Sequence, residues 1–177
     1  MEAGRKAPSA FHSQPWHFVV VEDKELKRRV ADPQYWAVDA PVLIVMLGLE
    51  TPEVSDVYYP QYLDSIIEYH ENGNYLLDMG IVFEHVILAA TDLGLATCWM
   101  WYSWDRDTEM KKLLNVPAKY RVVARTPLGF PDEQPPPKPR KDFDEIVSWE
   151  RFGEPMLAHE ATERRLWKSL TDGGHFR

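Results

Sequence analysis

The sequence predicts one domain in which helices cover a buried sheet, and three stretches carry that reading. The run Pro41-Val42-Leu43-Ile44-Val45-Met46-Leu47 is continuously apolar between a proline and a glycine, as a strand buried on both faces reads. Trp16-His17-Phe18-Val19-Val20-Val21 combines aromatic and β-branched side chains that suit a second strand. Residues 74–95 repeat apolar side chains at helical spacing over about six turns. A chain of 177 residues, 45% hydrophobic and 12% aromatic, fits one such domain with a substantial core.

Taken in order, residues 1–6 read as the end of a helix stopped at Pro8, and residues 24–30 as a short polar helix after the first strand. Residues 50–73 are rich in Tyr, Asp and Glu, with Pro52 and Pro60 interrupting the front half. They read as a surface excursion with a short helix over 63–70. In the long helix, Asn74 is placed to cap the start and Gly94 to end it. Leu76, Met79, Phe83, Ile87 and Ala90 form one apolar row, Val82, Val86, Ala89 and Leu93 a second, and Leu77, Ile81 and Leu88 a third. Asp78, His85 and Asp92 lie on a narrow polar stripe. A helix apolar on most sides is expected to be covered on most sides, by its own sheet and by a second subunit. Residues 97–101 read as a strand, 105–114 as a helix and 120–128 as a further strand. Five of the chain's 14 prolines then fall in 129–140, which must be extended and stiff. Residues 154–177 carry Leu157, Leu166, Trp167 and Leu170 at helical spacing and read as a peripheral helix attached to a domain spanning 1–153.

The net charge of −8 argues against nucleic-acid partners and anionic membranes. A lone cysteine, Cys98, cannot form an internal disulfide, so a reducing cytoplasm is expected, and no apolar run approaches the roughly 20 residues of a spanning helix. Cys98, between Thr97 and Trp99 in mid-strand, reads as a small buried hydrophobe. The histidines show no metal-ligand spacing, and neither GxGxxG nor GxxxxGK[ST] occurs.

The stretch most suited to chemistry is Pro8-Ser9-Ala10-Phe11-His12-Ser13-Gln14-Pro15-Trp16. Its prolines fix two φ angles and restrict the residues before them, so the polar side chains between must project from a stiff loop. From the residues alone this is either a solvated turn ahead of a strand or a rigid set of donors and acceptors for a planar ligand. The spelling APSAFHSQPWHFVVV resembles the APSxxNxQPW signature of the nitroreductase family. Two further blocks agree: LLDMGIVFEHVILAATDLGLATCW is similar to the family's dimer-forming helix and GLGTxW strand, and LGFPDEQPPPKPRKDFDEIV to its LGYPxExPxxKxRKxxxEIV block.

The resemblance implies an α+β fold, a mainly antiparallel sheet flanked by helices, in an intertwined homodimer with FMN at the interface. It implies hydride transfer from NADH or NADPH through the flavin to an acceptor such as a nitroaromatic, quinone or activated alkene, in ping-pong fashion. No acid–base pair is then needed, because the cofactor carries the chemistry. By residue-to-residue match, Pro8, Ser9, His12 and Gln14 are expected at the flavin ring. Thr97, Cys98, Trp99, Leu128 and Gly129 are expected where backbone meets the flavin, and Lys138 and Arg140 at its phosphate. His12 stands where the family has Asn, and the family's Arg-rich RRSxR segment has no counterpart in the sequence. Two other readings remain open at this point. One is a specialised relative, such as a reductive dehalogenase or flavin-fragmenting enzyme. The other is a flavin-poor dimer acting as a ligand-binding or scaffold protein.

Overall fold

The computed structural model describes residues 1–101, 104–148 and 150–154. The helix expected over 154–177 lies outside the described residues except for Glu154, as do Tyr102 and Ser103. The chain divides into two compact units, Met1–Glu133 and Gln134–Arg177.

The first unit is built on an antiparallel sheet. Strand β1 (Trp16–Val21) pairs with β2 (Val42–Leu49), and β2 with β5 (Tyr120–Gly129). The far side of β5 takes two short strands, β3 (Ala96–Thr97) and β4 (Met100–Trp101). Strand β2 is buried along nearly its whole length, as its apolar run requires. Alternate side chains divide between the two faces. Leu43, Val45 and Leu47 join Val30 and Ala31 of α2 (Lys24–Ala31) and Met110 of α5 (Asp107–Leu114) in one core. Met46 joins Met79, Val82 and Phe83 of α4 (Tyr75–Asp92) in the other. Gly48 permits this second packing: a Cβ there would stand 2.8 Å from Tyr75 Cε2 and 3.1 Å from Val123 Cγ2.

Helix α2 is capped by Asp23, whose carboxylate accepts from Leu26 N at 2.7 Å. Helix α4 starts at Asn74 without a side-chain cap, contrary to the expectation from its sequence. It ends as expected, with Gly94 at positive φ and Leu95 N bonded to Ala90 O at 2.9 Å. Its row Leu77, Ile81 and Leu88 is exposed on the single chain, at 65%, 39% and 60%.

The expected continuous strand over 97–101 is interrupted at Cys98 and Trp99. Thr97 pairs with Leu128 and Met100 with Arg125, which places Pro127 opposite Cys98. Proline has no N–H to donate across the ladder, so the pairing lapses for two residues. Thr126 Oγ1 substitutes by accepting from Cys98 N at 3.0 Å. Cys98 is therefore exposed, which corrects its reading as a buried residue.

The second unit contains a four-residue helix, α6 (Phe143–Ile146), closed by a reciprocal capping box between Asp142 and Glu145. From 130 to 142 the backbone forms neither helix nor strand, and every residue is exposed.

Candidate functional site

The proline-bounded loop between α1 (Glu2–Arg5) and β1 makes a single turn, Ala10–His12, and its geometry is unusual. Phe11, His12 and Gln14 have φ of 53°, 55° and 48°. Three non-glycine residues in the left-handed region cost of order 1–3 kcal/mol each and persist only where surrounding contacts hold them. Two such contacts are present. Ser9 Oγ accepts from Gln14 N at 3.0 Å, closing the loop on itself, and Asp78 Oδ1 on α4 accepts from Ala10 N at 3.2 Å.

The result is a small polar face. His12 is exposed and Gln14 half-buried, and the Gln14 amide donates to His12 Nε2 at 2.9 Å. Ser9 is taken up within the loop and Pro8 is exposed, while Ser13 is buried with its Oγ unpartnered. The expectation that Ser13 projects is thus corrected: the turn at Ala10–His12 rotates it inward.

Asp78 is the loop's anchor and is itself buried. Burial pushes its carboxyl above the usual range, while Ala10 N–H and the Tyr69 hydroxyl beside it favour the charged form. Tyr69 is raised in turn by burial and by the Asp78 charge. His70 fixes α3 (Leu63–Glu71) to the end of β2: its Nδ1–H donates to Leu49 O at 2.8 Å, and its ring stacks on Tyr75 at 5.1 Å. Burial lowers the His70 pKa and raises that of Tyr75 to about 12.

The segment 50–62 arches beside the loop from a pinned base. Lys119 Nζ lies 2.6 Å from Asp56, Arg121 pairs with Glu50, and Glu50 N donates to Lys119 O at 2.8 Å. Its tyrosines approach the loop: the His12 ring lies 5.2 Å from Tyr58 and 6.0 Å from Tyr59, and Phe11 lies 6.1 Å from both Tyr62 and Tyr69.

The remaining candidates of this unit gather on the β3–β5 pairing. Thr97 lies opposite Leu128 and Ala96 opposite Gly129, where a Cβ would meet Pro41 Cδ at 2.8 Å. Trp99 packs edge-on against Phe83 at 4.3 Å. Phe83 and Asp78 stand about 7.5 Å apart along the axis of α4, so one helix supports both the loop and the Trp99 turn. Lys138 and Arg140 lie in the second unit, both exposed. Two clefts, of about 430 Å³ around residues 144–153 and about 620 Å³ around Asp23, Arg28 and Tyr35, include no residue of the loop.

From the residues, Asp78 reads only as part of a narrow polar stripe, with no role at the loop. Residues 50–73 are expected near the flavin only through the family resemblance, and their tyrosines are not singled out as neighbours of His12 and Phe11. No local signal marks either, because both relations join positions more than forty residues apart. Among the described residues no group of His, Cys, Asp and Glu is arranged to hold a metal.

The profile of the Nitroreductase family matches residues 1–40 and 33–130. The chain belongs to the nitroreductase family. It is accordingly an enzyme of nitroreductase type. A relative from Methanothermobacter thermautotrophicus, provisionally named an NADH dehydrogenase/NAD(P)H nitroreductase, is 29% identical over 151 residues, covering 82% of this chain and 71% of its own. The crystal structure of a nitroreductase family protein from Clostridium novyi NT superposes with a TM-score of 0.58 at 29% identity, over 89% of this chain and 82% of the other. The NADPH:FMN oxidoreductase from Vibrio harveyi, complexed with NAD+, shares the fold with a TM-score of 0.68 at 22% identity, over 97% and 77%. The mixed helix and antiparallel-sheet architecture is thus the family's, and the loop, α4 and β5 all fall inside the matched residues. No helix among the described residues is long and apolar enough to cross a membrane.

Proposed function

We propose that this chain binds FMN and passes hydride from NADH or NADPH to a small electron acceptor, the two substrates using the site in turn. The observation that carries the reading is the polar face of His12 and Gln14, held in left-handed backbone by Ser9 and Asp78. The donor set fits the group. An amide and an imidazole side by side match an isoalloxazine edge, which alternates ring nitrogens with carbonyl oxygens. FMN, when bound, supplies a ring that accepts and returns hydride.

The protein's own task is to bind and orient. Gln14 and His12 present donors and acceptors to the ring, and Thr97, Cys98, Trp99, Leu128 and Gly129 offer backbone around the β3–β5 pairing. Lys138 and Arg140 supply cations for the phosphate, Arg140 with a fork suited to bidentate contact. A homodimer goes with this reading, and the exposed row Leu77, Ile81 and Leu88 on α4 supports it.

The test is the absorbance spectrum after incubation with FMN and gel filtration, repeated anaerobically with NADH and with NADPH. A retained flavin band that bleaches with pyridine nucleotide is the expected result. Protein that elutes colourless contradicts the reading. Sedimentation of the same sample should give twice the mass of the chain.

A further inference from the structure

The segment beside the loop is unusual in its charge as well as its rings. Between Arg29 and Arg106 the sequence contains no lysine or arginine. Within 50–73, Glu50 and Asp56 are taken up by Arg121 and Lys119 at the base, while Glu53, Asp64, Glu68 and Glu71 are exposed. Above that base, Tyr58, Tyr59 and Tyr62 are exposed at 68%, 46% and 47%, yet their rings lie within about 6 Å of His12, Phe11 or one another. Exposed tyrosine rings can offer π-faces, whose negative quadrupole attracts cations. The segment's exposed carboxylates have the same sign, and it carries no lysine or arginine to oppose them.

We infer that the tyrosines Tyr58, Tyr59 and Tyr62, with Phe11 and His12, form an acceptor-binding platform selective for planar aromatic compounds bearing a positive charge. The inference rests on the proposed flavin reading, since it names the acceptor that the same site favours. Charge complementarity decides the class. A neutral aromatic gains stacking alone, and a cationic one gains stacking and cation–π attraction. An anionic substituent gains no such attraction from the rings and finds no lysine or arginine on the segment. A nitro group turned over there is reduced by two electrons: one NAD(P)H and one proton convert it to a nitroso group, with release of NAD(P)+ and water. The charged substituent takes no part in that step, so its effect belongs in binding.

A matched series tests this: (4-nitrobenzyl)trimethylammonium, 4-nitrobenzyl alcohol and 4-nitrobenzoate. Their binding is measured by calorimetry on the FMN-treated protein whatever its flavin content, and their KM and kcat are measured separately. The expected order is cation, neutral, anion, with about tenfold between the first two and with the difference in KM rather than kcat. Replacing Tyr58 and Tyr59 together by leucine should remove the preference, and replacing both by phenylalanine should keep most of it. Equal affinities across the series, or a preference for the anion, would overturn the inference, as would a cation preference untouched by the leucine variant. Failure of the flavin reading shows separately, as protein without retained FMN, and leaves the calorimetric comparison standing.

Discussion

Two proline-bounded segments, residues 8–15 and 131–140, are rigid for different reasons. In the first, the prolines only frame the loop, and its conformation is held by tertiary and local hydrogen bonds: Ala10 N to Asp78, and Gln14 N to Ser9. Those bonds sustain three left-handed residues and set His12 against Gln14 before any ligand arrives. In the second, stiffness comes from the prolines themselves. Arg140 Nη1 donates to the carbonyl of its neighbour Pro139 at 3.3 Å, and every residue is exposed. On the proposed reading, the first segment is preorganised to recognise shape, while the second carries charge on exposed backbone that forms neither helix nor strand.

That contrast is broken most directly at Asp78. Asp78→Ala removes the acceptor for Ala10 N and releases the loop, so FMN binding should weaken by well over tenfold, read by flavin fluorescence titration. Arg140→Ala should cost about tenfold in FMN affinity through loss of a charge-assisted contact. Because Arg140 is exposed, urea unfolding of that variant should match the wild type. Ser9→Ala removes one hydrogen bond worth roughly 1 kcal/mol, so about fivefold in flavin affinity is expected.

The smallest effect is on stability. The pKa of Asp78 is raised on folding, so the unfolded chain gives up this proton more readily. Stability therefore falls as pH rises through the ordinary carboxylate value, and the loss is complete above the raised folded value. Asp78→Asn keeps an oxygen for Ala10 N and removes the buried charge. Urea unfolding should show the Asn variant gaining on wild type at neutral pH and losing that advantage in acid. A variant equally stable at both pH values, relative to wild type, would contradict burial as the cause.

Much of the fold was legible because its signals are local. Trp16–Val21 was read with its observed bounds, and the apolar run of β2 declared its double burial. The break at Cys98 was not legible, since it depends on Pro127 lying opposite in a register that only pairing reveals. For the same reason Asp78 looked like a surface residue. Its neighbours Leu77 and Met79 lie one exposed and one in the core, and the carboxylate finds its partners in Ala10 N and Tyr69, both distant in sequence. Arg125, at 1% exposure, likewise reads as an ordinary strand residue until its guanidinium is seen donating to the carbonyls of Ala31 and Asp32. Positions whose role is set by a distant partner escaped, while local signals failed only in detail, as at the uncapped Asn74 and the inward-turned Ser13.

The central claim is that the loop at residues 8–15 and the cations Lys138 and Arg140 recognise different parts of one ligand. Parallel titrations of FMN and riboflavin, which lacks the phosphate, into wild type, Ser9→Ala and Arg140→Ala test it in one experiment. The account predicts that Ser9→Ala weakens both flavins by the same factor, while Arg140→Ala weakens FMN and leaves riboflavin unchanged. Equal losses for both flavins in Arg140→Ala, or no loss for either in Ser9→Ala, would contradict it.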